Sequence, residues 1–248
     1  MMLPVRTLLS LLLLLALPAS HQLAYGSPEA PSRELVESNL HRLDSVIIDE
    51  AMFFTMTMRL DKELLVVESD PTRDKSERRK LVSVDGAPPT KERLDKFVED
   101  ERKRLAEEEQ NPERNLYAHL VDTSTLELDG VENGIARFRF APRLANFEDQ
   151  QDRMQGTLSL DTGSGLLTQI RIENTEELSP AFSVSIQRYQ LELNFGLSDD
   201  YLLIQAMTTQ IDGKLGFVRS FQSEVQVEFS DFRSLTTRAS TISLPDSG

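Results

Sequence analysis

Residues 154–174 read MQGTLSLDTGSGLLTQIRIEN, and this stretch decides the class of fold. Apolar and polar side chains alternate on both sides of the segment DTGSG, as they do where a β-strand buries one face. Gly163 and Gly165 permit the backbone conformations that a tight turn requires. We therefore predict a β-hairpin at this point of the chain.

The same alternation continues on either side of the hairpin. Residues 135–140, IARFRF, and residues 224–232, EVQVEFSDF, each place apolar side chains on one face, and residues 116–122, LYAHLVD, also read as a strand. Within residues 181–195, AFSVSIQRYQLELNF, the apolar positions change parity, which predicts a β-bulge near Gln187 or Arg188. Counted over the whole chain, the pattern predicts about ten strands in successive hairpins.

Two helices interrupt the strands early in the chain. Ser32 can cap the first helix and Thr90 can cap the second, which spans about residues 90–110. The predicted apolar positions are Val36, Leu40, Leu43 and Ile47 in the first helix, and Leu94, Phe97, Val98 and Leu105 in the second. The pattern predicts an α+β, mostly β fold: a curved antiparallel sheet of about ten strands, an open half-barrel, with both helices on its concave side.

The N-terminus predicts export. Residues 1–26 contain one basic residue, Arg6, and the apolar run LLSLLLLLALP, which is typical of a cleaved signal peptide. Cleavage is expected before Ser27, with Ala19 as a second position, and an uncleaved anchor is the alternative. Residues 27–240 are then expected to form one domain and residues 241–248 a flexible tail. The absence of cysteine leaves a hydrophobic core as the source of stability, and the bacterial periplasm is the expected location.

The chain is strongly acidic, with a formal net charge of −14. Loss of the signal peptide would remove Arg6 and no acid, which lowers the charge by one to −15. Because nucleic acids are bound through Lys and Arg at their phosphates, this balance argues against a nucleic-acid partner. It argues equally against a broad docking surface for anionic lipids.

Groups that could carry out catalysis are sparse. The three histidines, His21, His41 and His119, are far apart in the sequence, and no nucleophile motif accompanies them. Neither a zinc motif nor a calcium-loop spacing is present, so no metal and no cofactor is expected. A hydrolase built on Asp and Glu stays open, because carboxylate pairs leave no local signature. We expect a protein that is not an enzyme.

Phe and Met predominate over Tyr and Trp on the apolar faces of the strands. Each such side chain is expected to fill the core, since every strand must bury one face. The alternative is that a strongly curved sheet leaves room for an apolar ligand, to which flexible methionines adapt well. The candidate lining residues are Phe54, Met56, Met58, Phe97, Phe138 and Phe140.

The order of elements resembles that of the LolA-like group of periplasmic lipoprotein-sorting proteins. Residues 156–173, GTLSLDTGSGLLTQIRIE, are similar to a strand–turn–strand of that group, and residues 68–94, ESDPTRDKSERRKLVSVDGAPPTKERL, resemble uncharacterised envelope relatives. The resemblance implies an open half-barrel and a non-enzymatic carrier of acyl chains, lipid or lipoprotein. The alternative is a module that binds an envelope protein and no lipid.

Overall fold

The computed structural model describes residues 31–110, 117–216 and 219–235. The predicted signal peptide and the predicted tail at 241–248 lie outside these residues. The helices are α1 (Arg33–Asp44), α2 (Ile48–Ala51), α3 (Lys91–Gln110) and α4 (Tyr117–Leu120), with short 3₁₀ segments at Lys75–Glu77, Thr123–Thr125 and Ala145–Arg153. Among the described residues, no helix is both long enough and apolar enough to cross a membrane.

One open antiparallel sheet dominates the described chain, so the predicted mostly β class is confirmed. The strands lie in the order β3-β2-β1-β11-β10-β9-β7-β6-β5-β4, and β8 pairs with β9 beside this series. Their bounds are β1 (Met52–Leu60), β2 (Glu63–Ser69), β3 (Arg79–Val84), β4 (Glu127–Glu132), β5 (Ile135–Phe140), β6 (Met154–Asp161), β7 (Leu166–Asn174), β8 (Leu178–Ala181), β9 (Val184–Ser198), β10 (Tyr201–Leu215) and β11 (Arg219–Ser234).

A single row of directly opposed apolar residues crosses the whole sheet. Because side chains opposite each other in neighbouring strands share a face, the register alone places the row on one side of the sheet. We call this side the helix face. From one edge to the other, the row is Val84, Leu65, Met58, Val227, Met207, Leu193, Ile170, Leu158, Phe138 and Leu128.

Both predicted helices pack on the helix face, over different halves of the sheet. In the first half, Val36, Leu40 and Leu43 of α1 join the core formed by β5, β6, β7, β9 and β10. In the second half, a separate core lies on β1, β2 and β3, and Phe97 of α3 packs against it. We call these two groups the α1 core and the α3 core.

Asn39 fixes α1 to the hairpin that the sequence predicted most clearly. Its side-chain amide donates to the carbonyl oxygens of Leu35 at 2.8 Å and Gly165 at 3.0 Å, and its oxygen accepts from the backbone N–H of Leu167 at 3.0 Å. Only 2 % of Asn39 is exposed. A buried polar group is tolerated when its hydrogen bonds are made, and here they set the position of α1 on the sheet.

Gly156 is required by the packing of the neighbouring strand. It lies opposite Phe140 in the β5–β6 pair, and a Cβ atom at this position would lie 2.3 Å from the Phe140 ring. Since the ring is itself buried, it covers the glycine backbone and leaves no room for a side chain.

Several predicted details are confirmed. The Ser32 hydroxyl accepts from the N–H of Leu35 at the start of α1, as expected of an N-cap. In the β9–β10 pair, the register shifts between Asp212 and Gly213, whose partners are Arg188 and Ile186. Gln187 is therefore the extra residue of the predicted bulge.

Other details differ from the prediction. Helix α1 ends at Asp44, before Ile47, which is 61 % exposed. Residues 117–120 form α4 rather than a strand, because the carboxylate of Asp44 accepts from the N–H groups of Tyr117 and Ala118 and so caps a short helix from a distant part of the chain. Phe182 lies in the β8–β9 turn, fully exposed, and not on the buried face of one long strand.

Candidate ligand-binding face

The six predicted lining residues all lie near the helix face, but in two groups. Phe54, Met56, Met58 and Phe97 belong to the α3 core, while Phe138 and Phe140 belong to the α1 core. Four of the six are buried, and only Met58 and Phe97 are half-buried. Their role as ligand contacts stays a prediction, and the two half-buried residues are the ones that a ligand could reach.

The two groups are too far apart to line one small pocket. Met58 and Phe138 stand in the same cross-strand row, separated by six strand-to-strand steps. At ~4.8 Å for each step, this is roughly 29 Å along the sheet. A ligand that touched both groups would have to lie across most of the strands.

The middle of the helix face carries half-buried apolar side chains that connect the two cores. We call them the bridging strip, which consists of Met58, Met207, Val225 and Phe229. Met207 and Phe229 contact both cores, and Val225 and Met58 contact the α3 core. Because each keeps part of its surface exposed, the strip is a place where further apolar contact can be added without displacing the buried core.

Helix α3 packs on the sheet edge at β3, and Phe97 reaches the α3 core. Its 20 residues include none that is buried. Its half-buried residues lie on one face of the helix, at Arg93, Phe97, Glu101, Arg104, Leu105 and Glu108. Two of them, Phe97 and Leu105, belong to the predicted apolar stripe. The predicted apolar stripe is therefore wrong at Leu94 and Val98, which are 37 % and 62 % exposed.

Ion pairs hold the C-terminal half of α3 in place. Arg79 of β3 binds Asp49 of α2 at 2.7 Å and approaches Glu101 of α3 at 3.7 Å. Arg104 binds Glu101 at 2.8 Å, pairs with Glu108 and lies 3.9 Å from Asp49. Burial alone would lower the pKa of Arg104, but its acidic neighbours outweigh this effect and the pKa is raised. The four central members of this group, which we call the charged seam, are Asp49, Arg79, Glu101 and Arg104.

The N-terminal half of α3 is held by one pair. Arg93 binds Glu63 at the start of β2, but its Nε atom is buried without a hydrogen-bond partner. An unpaired buried donor costs free energy, so this contact contributes less than a fully satisfied one. Between the pair and the charged seam, Phe97 is the apolar contact that α3 makes with the α3 core.

A polar cleft of about 280 Å³ lies around the end of β1, β2 and β11. The Arg233 guanidinium stands 5.4 Å from the centre of the Phe53 ring, and Arg73 pairs with Asp70 at 3.3 Å. A hydrogen bond from Thr72, and then the charge of Arg73, lower the pKa of the Asp70 carboxyl. Of the predicted lining residues only Phe54 borders this cleft, whose mixed charges do not suit an apolar ligand.

The described histidines stand apart from each other. His41 is exposed on α1 and His119 is exposed on α4, while His21 lies outside the described residues. Within residues 31–110, 117–216 and 219–235, no three acidic or histidine side chains are placed to hold a metal ion.

Comparison with known proteins adds no relative, since the chain matches no protein-family model, no curated protein and no solved structure.

Proposed function

We propose that this chain is a non-enzymatic binding protein for an apolar ligand, an acyl chain or lipid of the bacterial envelope. The ligand would lie on the bridging strip and extend beneath α3, in contact with Met58 and Phe97. The observation that carries the proposal is a continuous apolar row with a helix packed at its outer end, held there by Phe97 and charged contacts. The apolar run at residues 1–26 supports export, and the carrier resemblance supports the ligand class.

The energetics of α3 favour a movable cover. Partly exposed ion pairs contribute about 0–1 kcal/mol each, and among the described residues three of them join α3 to the other elements: to Glu63, Arg79 and Asp49. Half-burial of Phe97 adds about 1 kcal/mol. Release of α3 would then cost on the order of 1–4 kcal/mol, a range in which the open state is a minor population of roughly 0.1–16 %.

A ligand would shift this equilibrium if it gained more contact with the open state. An acyl chain gains ~0.8 kcal/mol for each methylene group that it buries. A few methylenes against the bridging strip therefore outweigh the cost of moving α3. Methionine suits such a surface, since Met58 and Met207 can adopt new rotamers around chains of different length.

One observation favours a second function, in which the chain binds a protein and no lipid. Leu94 and Val98 are exposed one turn apart on the outer side of α3. A partner helix could pack against this pair, and α3 would then be a docking element and not a cover.

The test is displacement of a fluorescent fatty acid from purified protein by unlabelled palmitate. We expect binding by the wild type, and at least tenfold weaker binding by Met58→Gln, because the ligand would then lie against an amide. Val131→Gln is the matched control, since Val131 is an exposed strand residue on β4, at the edge of the sheet farthest from β3.

Absence of binding by the wild type would count against a lipid ligand. An equal loss of fatty-acid binding in Met58→Gln and Val131→Gln would show that the effect is not specific to the bridging strip. In a pulldown with the purified chain as bait, one stoichiometric protein partner whose binding is abolished by Val98→Gln would favour the second function.

A further inference from the structure

The strands β9, β10 and β11 extend well beyond their neighbours at one end of the sheet. On one side, β1 turns back at Leu60, which lies opposite Val225 of β11. Strand β11 begins six residues earlier, at Arg219, so the three strands extend roughly 20 Å past the β1–β2 turn. We call the extended parts of these strands, together with β8, the arm, which consists of residues 178–190, 210–216 and 219–224.

The end of the arm is apolar and exposed. Phe182 in the β8–β9 turn is fully exposed, and Leu215 at the end of β10 is 45 % exposed. The two turns are joined, since the N–H of Gly216 donates to the carbonyl oxygen of Ser183 at 2.6 Å. In register, Leu215 lies opposite Val184, two residues after Phe182, so the two exposed side chains occupy the same end of the arm.

The arm also differs from the rest of the chain in charge. Its residues, 178–190, 210–216 and 219–224, contain three cations, Arg188, Lys214 and Arg219, and two acids, Asp212 and Glu224, a formal balance of 3 − 2 = +1 where the whole chain has −14. Glu224 lies at the base of the arm, opposite Gln210, and away from its end. Arg188 pairs with Asp212 at 3.6 Å, which leaves Lys214 and Arg219 as the exposed charges near the end.

We propose that the end of the arm docks on an anionic lipid surface. Phe182 and Leu215 would enter the boundary between headgroups and acyl chains, and Lys214 and Arg219 would contact lipid phosphates. Exposed apolar side chains next to cations are the combination by which proteins bind a membrane surface without crossing it. This inference does not depend on α3 or on a bound ligand.

The net charge of −14 does not oppose this local contact. At physiological ionic strength, charges are screened over ~8 Å, which is less than the roughly 20 Å by which the arm extends. An anionic surface at the end of the arm therefore interacts with Lys214 and Arg219 more strongly than with the acids of the remaining sheet. A broad face of the protein would be repelled, so the contact is restricted to the end.

The experiment is co-sedimentation with vesicles of phosphatidylcholine alone or with 30 % phosphatidylglycerol. We expect at least tenfold tighter binding to the anionic vesicles at low salt. Phe182→Ser should weaken that binding about tenfold, since a fully exposed ring would lose its burial in lipid. Lys214→Gln with Arg219→Gln should weaken it about 25-fold, because each cation contributes about fivefold. Every variant keeps the same N-terminal segment, so any contribution of that segment to vesicle binding is common to all of them.

The control variants are Val98→Ser and the pair Lys91→Gln and Lys96→Gln, which alter an exposed apolar residue and two exposed cations on α3. Their binding should equal that of the wild type. Because the chain has no tryptophan, Phe182→Trp provides a second measurement, with emission that should shift to the blue on addition of anionic vesicles.

The proposal is overturned if the wild type binds neither vesicle, as it would if the arm docked on a protein. It is also overturned if Phe182→Ser binds as the wild type does, or if the tryptophan at 182 shows no shift. Loss of fatty-acid binding by Met58→Gln with vesicle binding intact would separate this inference from the proposed function.

Discussion

Replacement of Arg79 by methionine should release α3 while the sheet stays folded. Methionine keeps most of the apolar stem of Arg79 and removes the guanidinium that joins Asp49 to Glu101. The two carboxylates would then share only Arg104, which lies 3.9 Å from Asp49 and 2.8 Å from Glu101. The charged seam would carry excess negative charge at the point where α3 meets β3.

The size of the effect follows from the exposure of the three side chains. Arg79, Asp49 and Glu101 expose 15 %, 17 % and 16 % of their side chains. Loss of one member costs 3–5 kcal/mol for a fully buried pair and about 0–1 kcal/mol for an exposed pair, so we expect about 2 kcal/mol. If this free-energy cost falls on the docking of α3 alone, amide hydrogen exchange in α3 should accelerate about 30-fold.

The assay is hydrogen exchange followed by mass spectrometry, with peptides from residues 91–110 compared with peptides from α1. Lys103→Met is the matched control, because Lys103 is largely exposed and pairs with Glu99 inside the helix, at 2.8 Å. The control should change exchange by less than twofold. Equal acceleration in α1 and α3, or none in α3, would refute the conclusion that the charged seam holds α3.

Three further predictions concern the framework around the candidate face. Asn39→Ala should lower the free energy of unfolding by about 2–4 kcal/mol in urea titrations, because the buried N–H of Leu167 and a carbonyl of the same hairpin lose their partner. Gly156→Ala should lower it by about 1–3 kcal/mol, since the new methyl group would overlap the ring of Phe140. Burial, and less strongly the charge of Asp44, raise the pKa of Tyr117 to about 12. The unfolded chain therefore loses this proton first, so stability should fall by up to about 3 kcal/mol between pH 10 and 12, and Tyr117→Phe should remove that part of the slope.

Each of the three has a matched control. Ser38→Ala alters an exposed neighbour of Asn39, and Gly163→Ala adds a methyl group where the nearest atom would lie 3.4 Å away. Tyr201→Phe alters a tyrosine that is 36 % exposed. A control that destabilised as much as its partner would contradict the stated cause.

The sequence predicts the sheet well because period-two alternation is a local property. The strands around Gly163, the bulge at Gln187 and the cap at Ser32 all follow from residues close in the chain. The local pattern is misleading at residues 117–120, where the cap comes from Asp44, about seventy positions earlier. Contacts of this range leave no periodic trace.

The candidate site was predicted less completely. Period and composition identified Met58 and Phe97, but they did not separate the buried Phe138 from residues that a ligand could reach. The seam residues of α3 are charged, and charge alone is typical of a solvated face, although the spacing from Arg93 to Arg104 places them on one side of the helix. The sequence does not show which surface this side of α3 packs against. That surface is fixed by the register of β2 and β3.

The most direct test of the central claim is photo-crosslinking with a palmitate analogue that carries a diazirine in the middle of its chain. We expect crosslinks to peptides that contain Met58 and Phe97, competed by unlabelled palmitate and increased by Arg79→Met. Crosslinks confined to the polar cleft near Phe53, or none that palmitate competes, would contradict it.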